Sequence, residues 1–200
     1  MILYFLLLPP PRCLTVILPW LLRPAFFLSE VVRDFSGVVF VISEKSEPVI
    51  CLLDGVYGPY EENLKNDCGD FVLRRADGVF VYQLAVVVDD GEAGVTQVVR
   101  GCDLLSSTPR QIYLCRLLGL PVPEYWHVPM LTDGEGRKLS KRDMDLDLGV
   151  LRQSRRPEEL IGELAWRSGL IDRREAVSAR ELTAEFRWDR LKKKDIVWSA

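Results

Sequence analysis

From about residue 48 onward, the spacing of apolar and polar positions predicts both strands and helices. Two segments that each begin with apolar residues, at residues 71–75 and 79–82, flank the turn-forming pair Asp77-Gly78 and predict a β-hairpin. The next apolar positions with helical spacing are Leu84, Val87 and Val88. They predict a short helix, although a buried strand has a similar pattern over so few residues.

A second helix is predicted to begin near Thr108. Thr108 can cap the helix, Pro109 suits the first helical position, and Gln111 would complete a capping box. A single apolar stripe follows, formed by Ile112, Cys115 and Leu118. Gly119 suits the end of this helix.

Predicted strands flank the second helix on both sides. Val95 to Val99 is rich in β-branched residues and ends at Arg100-Gly101, and His127 to Leu131 forms the other strand. A strand, a loop, a capped helix and a further strand make a βαβ unit, from which doubly wound sheets are built. The predicted fold class is therefore α/β.

The pattern becomes helical near the end of the chain. Residues 132–136 predict a turn, and Pro157 and Ser178 each mark the start of a helix. We therefore expect an α/β domain at residues 48–150 and a helical region at residues 151–200.

Residues 1–28 differ in composition from everything that follows, and residues 1–47 are treated as one atypical N-terminal segment. The apolar run at the start is interrupted by Pro9 to Pro11 and by Arg12, before the roughly 20 apolar residues that a membrane span requires. No basic stretch precedes the run, as a signal peptide would require. A membrane partner is therefore the less favoured interpretation. We interpret the segment either as foreign to the fold, through a reading-frame or start artefact, or as a real apolar segment.

Composition and charge narrow the class of protein. Apolar residues make up 48% of the chain and charged residues 28%, which is sufficient for a buried core. The net charge of −3 gives no global attraction to nucleic acid, so any RNA contact must come from local basic clusters. The five cysteines include no close pair, which favours reduced and mostly buried thiols in a cytoplasmic protein over disulfides or a zinc site.

The run Lys138-Leu139-Ser140-Lys141-Arg142 carries the clearest chemistry. Lysine ammonium groups on a loop can meet the negative charge that develops on pyrophosphate when a carboxylate attacks the α-phosphate of ATP. Taken alone, a lysine-rich turn is more often solvated surface. The run resembles the KMSKS loop of class I aminoacyl-tRNA synthetases, in the KLSKR form of the glutamyl group.

Several further segments resemble the same group in the same order. They are Gly69 to Gly78, Tyr82 to Asp90, Gly94 to Asp103, Ser107 to Gln111 and His127 to Met130, and the resemblance covers residues 48–200. It implies the second half of a Rossmann-type class I catalytic domain, with ATP and Mg²⁺, L-glutamate and tRNA as substrates and partners. The zinc-binding cysteine arrangement of many members is not expected here.

The resemblance implies roles for single residues. Tyr82 and Arg100 match positions that contact the substrate glutamate, and an arginine can bind a carboxylate through two hydrogen bonds. Lys138 and Lys141 match the catalytic lysines, and His127 and the whole loop from Lys138 to Arg142 match the ATP site. By residue type alone, Tyr82 could be a core tyrosine, Arg100 an ion-pair partner, and His127 a packed strand residue.

Within the group, the segment from Tyr82 to Asp90 is closer to the form of the glutamyl-Q tRNA(Asp) synthetases, which load glutamate onto the queuosine base of tRNA(Asp). Only 58 residues follow Arg142, too few for the anticodon-binding region of a full glutamyl-tRNA synthetase. A truncated glutamyl-tRNA synthetase and a non-catalytic remnant that binds tRNA or protein are the alternatives.

One expected feature has no match. Class I enzymes carry a HIGH-type signature with two histidines, whereas this sequence contains only His127. We therefore expect no glutamate-dependent pyrophosphate exchange from the chain alone. Basic residues of the tail are expected to contact the tRNA backbone, unless nearby acids such as Glu158, Glu159, Asp172 and Glu175 neutralise them. The basic residues in question are Arg155, Arg156, Arg173, Arg174, Lys192, Lys193 and Lys194.

Overall fold

The computed structural model describes residues 49–139 and 148–198, and the backbone of residues 32–35 and 38–41. The chain divides into two compact units, which we call unit 1 and unit 2. Unit 1 contains the described residues up to Arg100 together with Leu104–Trp126. Unit 2 contains Gly101–Asp103 and the described residues from His127 onward.

Nine strands and five α-helices make up the described chain. The strands are β1 (Val32–Phe35), β2 (Val38–Val41), β3 (Val49–Asp54), β4 (Gly58–Asn63), β5 (Phe71–Arg74), β6 (Gln97–Gly101), β7 (Glu124–Val128), β8 (Leu131–Thr132) and β9 (Ile196–Val197). The helices are α1 (Tyr82–Ala93), α2 (Thr108–Leu118), α3 (Leu148–Ser154), α4 (Pro157–Ser168) and α5 (Ala179–Glu185). A π-helical turn spans Leu64–Cys68, and 3₁₀ turns span Cys102–Ser107 and Trp188–Arg190.

Unit 1 is built on short sheets. β2 pairs antiparallel with β1 and β5, and β3 pairs antiparallel with β4 from Val49↔Asn63 to Asp54↔Gly58. The buried carboxylate of Asp54 accepts backbone N–H groups of Val56 and Tyr57, at 3.0 and 2.9 Å, which holds the turn between β3 and β4. β6 and β7 are neighbours in a further sheet.

The core of unit 1 gathers apolar residues from its strands and from both of its helices. Its most buried members include Ile50, Leu64, Leu73, Leu84, Ile112 and Leu114. Helix α1 buries Leu84, Val87 and Val88, so the predicted helix is confirmed and the strand alternative is wrong. The apolar stripe of α2 is confirmed too, because Ile112 and Cys115 are buried and Leu118 packs against the same core.

The predicted hairpin is correct at its turn and too long in its second arm. Gly78 adopts φ +86° and donates to the carbonyl of Arg75, and β5 precedes the turn as expected. After the turn only Phe80 forms a bridge, to Arg74, because α1 begins at Tyr82. The second arm is therefore reduced to a single residue pair.

The predicted βαβ order is present as β6, α2 and β7, with shifted boundaries. The strand expected at residues 127–131 begins at Glu124 and ends at Val128. Pro129 lacks the N–H that would continue the ladder, and the chain resumes as β8 at Leu131. Gly119 ends α2 with φ +67°, in the left-handed conformation predicted for it.

Unit 2 contains α3, α4 and α5, with β8 and β9 paired in parallel. Pro157 opens α4 and Ser178 caps α5, and both helix starts are confirmed. Ser178 Oγ accepts from Glu181 N at 3.2 Å, while Glu181 Oε2 accepts from Ser178 N at 2.9 Å, which completes a capping box. Buried Ala165, Ile196 and Trp198 belong to the core of this unit.

The cysteines are less buried than expected. Cys51, Cys68, Cys102 and Cys115 are free thiols, but only Cys115 is buried and Cys51 is exposed. Cys51 lies on the outer side of β3, where alternate side chains face solvent. Among the described helices, none has the length and hydropathy needed to cross a membrane. Cys13 and the apolar run of residues 1–28 lie outside the described residues.

Candidate functional site

Arg100 lies on β6 in unit 1 and is 7% exposed. Its Nη2 donates to Thr108 Oγ1 at 2.8 Å and to Gln111 Oε1 at 2.7 Å. The guanidinium carbon lies 5.2 Å from the centre of the Tyr125 ring, within the range of a cation–π interaction. Two neutral acceptors and an aromatic ring therefore fix the orientation of this buried cation.

The predicted capping box at Thr108 and Gln111 is wrong. Ser107 occupies the cap position of α2 without a side-chain cap bond, and Thr108 is the first helical residue. Thr108 Oγ1 donates to the Leu104 carbonyl at 3.0 Å, and Gln111 Nε2 donates to Gln83 Oε1 at 2.7 Å. Both side chains therefore serve tertiary hydrogen bonds around Arg100, which local sequence does not reveal.

Tyr82 is the first residue of α1 and is 46% exposed. The interpretation of Tyr82 as a core tyrosine is therefore wrong, because its side chain is accessible to a ligand. Gln83 follows directly and accepts the hydrogen bond from Gln111. Two hydrogen bonds thus link Arg100, through Gln111, to Gln83, which is the neighbour of Tyr82 in the first turn of α1.

The turn at residues 132–136 in unit 2 leads to the predicted ATP loop. Asp133 Oδ1 accepts from the backbone N–H groups of Arg137 and Glu135, at 2.8 and 3.0 Å. The bond from Arg137 N is the main reason that the pKa of Asp133 lies below its usual value. Lys138 Nζ forms an exposed ion pair with Asp103 Oδ2 at 2.5 Å.

The predicted nucleotide site also includes His127 and the rest of the loop, from Leu139 to Arg142. Leu139 N donates to the Leu131 carbonyl at 3.0 Å, which holds the start of the loop beside β8. Ser140, Lys141 and Arg142 lie outside the described residues. His127 is fully buried on β7, as a packed strand histidine would be, and its contact with ATP stays a prediction.

Unit 1 also contains a polar cavity of about 520 Å³, which the sequence did not predict. It is lined by Tyr60, Glu61, Glu62, Asp67, Cys68, Ser106 and Arg110. Burial raises the pKa of the Glu62 carboxyl, whose Oε2 accepts from Tyr60 Oη at 3.3 Å. No sequence motif marks these residues, because they come from β4, from two short helical turns and from α2.

Ion pairs neutralise several arginines of the tail. Arg156 pairs with Glu159 at 3.1 Å, Arg173 with Glu175 at 2.8 Å, and Arg174 with the buried Glu163. The acid-balanced alternative is therefore correct for Arg156 and Arg173, whereas Arg174 pairs with an acid that the prediction did not name. Lys192 Nζ donates to the Arg167 carbonyl at 2.8 Å, while Lys193 and Lys194 are exposed.

Residues 49–139 and 148–198 contain no group of three or more His, Cys, Asp or Glu side chains arranged to hold a metal ion.

Comparison with known proteins places these residues in a family. The chain is 59% identical over 113 residues to the Glutamyl-Q tRNA(Asp) synthetase of Geobacter sulfurreducens, covering 56% of this chain and 36% of that protein. It is 48% identical over 143 residues to the protein of the same name from Neisseria meningitidis serogroup A, covering 70% and 47%. The chain therefore spans between about a third and half of these relatives.

Solved structures agree with the sequence relatives. The glutamate-tRNA synthetase of Elizabethkingia anophelis has a TM-score of 0.68 at 28% identity, over 82% of this chain and 37% of that chain. The glutamate tRNA ligase of Elizabethkingia meningosepticum, in complex with its amino acid, has a TM-score of 0.67 at 28% identity, over 82% and 36%. The family described as tRNA synthetases class I (E and Q), catalytic domain, matches residues 32–198, and so begins earlier than the predicted boundary at residue 48. The chain belongs to this family of class I aminoacyl-tRNA synthetases, which are ligases.

Proposed function

We propose that this chain takes part in the ATP-dependent activation of glutamate and in its transfer to the queuosine base of tRNA(Asp). The observation that carries the proposal is the pair of hydrogen bonds that joins the buried Arg100, through Gln111, to Gln83, the residue directly after the exposed Tyr82 in unit 1. A guanidinium whose orientation is fixed can bind a carboxylate without first losing conformational freedom. The names of relatives that are 45–59% identical support tRNA(Asp) as the acceptor.

The proposed chemistry has two balanced steps. A carboxylate oxygen of glutamate attacks the α-phosphorus of ATP, the bond to the β,γ-phosphates breaks, and pyrophosphate leaves. The acceptor group of the queuosine base then attacks the activated carbonyl, and AMP leaves. Tyr82 and Arg100 would bind glutamate. His127 and the loop from Lys138 to Arg142 would bind ATP with its Mg²⁺, and Lys138 and Lys141 would offset charge on the departing pyrophosphate.

Lys138 forms an exposed ion pair with Asp103 that contributes little to stability. An exposed pair of this kind typically contributes about 0–1 kcal/mol, so ATP can displace it at little cost. Lys138 would then be available to a phosphate oxygen. The cytoplasmic location, expected from the cysteine content and from tRNA as the partner, belongs to the same proposal.

A second candidate is the charging of tRNA(Glu) with glutamate. The two solved structures that resemble this chain over 82% of its length carry the names glutamate-tRNA synthetase and glutamate tRNA ligase. Both candidates share the activation step and differ only in the acceptor. The identity of the tRNA therefore separates them.

The test uses a chimera, because the chain spans about a third of the Geobacter protein. The segment of that protein which matches this chain is replaced with the corresponding residues of this chain. Glutamate-dependent pyrophosphate exchange is measured first. Transfer of labelled glutamate is then compared for tRNA(Asp) with queuosine, tRNA(Asp) without it, and tRNA(Glu).

We expect exchange by the chimera, and transfer only to tRNA(Asp) that carries queuosine. The parent protein is the positive control and the Lys141→Ala chimera is the matched negative control. A folded chimera without exchange, beside an active parent, would overturn the proposed function. Transfer to tRNA(Glu) instead would favour the second candidate.

A further inference from the structure

We propose that Gln111 is a positioning residue for glutamate binding, which holds Arg100 and the first turn of α1 in one arrangement. This inference rests on the proposed function, since it concerns the affinity for glutamate. Gln111 is 1% exposed and lies between the two elements that carry Arg100 and Tyr82. Its amide makes one hydrogen bond to each side.

The first step concerns the orientation of the Arg100 guanidinium. Both hydrogens of Nη2 have acceptors, one on Thr108 and one on Gln111. The hydroxyl proton of Thr108 is directed to the Leu104 carbonyl, so towards Arg100 this oxygen acts as an acceptor. Two bonds from one nitrogen fix the guanidinium plane, and that plane determines where Arg100 can meet a carboxylate.

The second step concerns the orientation of the Gln111 amide. An amide can rotate to exchange its oxygen and nitrogen, and only one orientation presents the oxygen to Arg100. The guanidinium of Arg100 has only donors and therefore selects that orientation, and Gln83 Oε1 completes it by accepting from Gln111 Nε2 at 2.7 Å. Because Gln111 is almost fully buried, water cannot easily replace either partner.

The third step links this amide to Tyr82. Val81 is the cap residue of α1 and makes no side-chain cap bond, so the first turn lacks a local anchor of that kind. Gln83 lies in that turn, directly after Tyr82, and is tied to Gln111. Loss of Gln111 would therefore release the Arg100 plane and loosen the turn that carries Tyr82.

The experiment compares Gln111→Met with Ile112→Val. Methionine has a similar length and makes no hydrogen bond through an amide, while Ile112→Val removes one methylene from the next buried position of the same helix. Dissociation constants for L-glutamate and for ATP are measured in the full 200-residue chain and in the chimera, together with Tm. Gln83→Met and the double variant are measured in parallel.

We expect Gln111→Met to weaken glutamate binding roughly tenfold to a hundredfold, as for loss of a hydrogen bond to a charged group. ATP binding should change less than about twofold, and Ile112→Val should leave both constants near their original values, since a conservative core change acts on stability. The double variant should be no weaker in glutamate binding than Gln111→Met alone, because both substitutions break one chain of contacts.

Three results would count against the inference, and they can be told apart. Absence of glutamate binding by both unmodified proteins overturns the proposed function and this inference with it. Normal glutamate binding by Gln111→Met overturns the positioning role alone. An equal loss of glutamate and ATP binding, accompanied by a fall in Tm, would show that Gln111 only stabilises the fold.

Discussion

Replacing Arg100 with methionine tests the buried network without requiring activity. The substitution keeps a long side chain beside Tyr125 but removes the guanidinium, and with it the bonds to Thr108 and Gln111. Both acceptors are almost fully buried, so water does not readily replace the lost donor. The free energy of unfolding should therefore fall.

The magnitude follows from the number of bonds and the burial of their acceptors. A hydrogen bond to a charged group contributes about 1.5–3 kcal/mol net. Methionine adds apolar contact, and Thr108 retains its bond to the Leu104 carbonyl, so the full sum of two bonds is not expected. We expect a loss of about 3 kcal/mol. With a slope of about 2 kcal/mol per molar urea, the midpoint would move by roughly 1.5 M.

Urea unfolding followed by circular dichroism measures this loss, and Arg75→Met provides the matched control. Arg75 is an arginine of the same unit whose exposed side chain pairs with Asp77 at 2.8 Å. Removing an exposed pair should change stability by less than about 1 kcal/mol. If Arg100→Met and Arg75→Met shift the midpoint equally, the network around Arg100 does not stabilise the fold as argued.

Three further predictions concern glutamate use by Arg100 variants, the titration of Glu62 and the basic tail. In the chimera, Arg100→Ala should raise the Michaelis constant for glutamate by a factor equivalent to about 2–5 kcal/mol, and the Michaelis constant for ATP much less. An equal rise in the two Michaelis constants would show that Arg100 has a purely structural role. Burial raises the pKa of Glu62, so its charged form destabilises the fold as pH rises above about 4, the usual range of a glutamate carboxyl. Urea unfolding at pH 4 and at pH 8 measures how much of the free energy of unfolding is lost between the two pH values, and Glu62→Gln should reduce that loss. An identical loss in the variant and the original protein would contradict the prediction. Replacing the exposed Lys193 and Lys194 with alanine should lower the salt slope of tRNA affinity by about 1.4–1.8, and an identical slope would exclude them from the interface.

The sequence predicts those features that local contacts determine. The helix of Leu84, Val87 and Val88 follows from spacing alone, because those three side chains face one core. The helix start predicted at Ser178 is also local, because the capping box with Glu181 that forms there closes within four residues. The turn at Gly78 requires a positive φ, which glycine supplies without strain.

Features that depend on contacts between residues far apart along the chain could not be predicted from the sequence. The cavity around Glu62 is formed by elements that approach one another only in the folded unit. The exposure of Cys51 depends on which side of β3 faces solvent, and a short strand does not reveal that. Tyr82 and Arg100 were identified only through resemblance, and the hydrogen bonds from Arg100 through Gln111 to Gln83 required the structure.

The failed prediction at Thr108 and Gln111 itself bears on function. A threonine followed three residues later by glutamine before an apolar run favours a capping box. In a capping box the two side chains would accept hydrogen bonds from backbone N–H groups at the helix start, without partners from elsewhere in the chain. The protein instead leaves Ser107 without a side-chain cap bond and directs both side chains to Arg100 and Gln83. A missing cap costs about 1 kcal/mol, so the alternative use of these residues must offset it. Local preference is most often overridden at functional sites, where geometry rather than helix stability limits performance. The buried arginine that gains from this arrangement is the same residue that the resemblance assigns to glutamate.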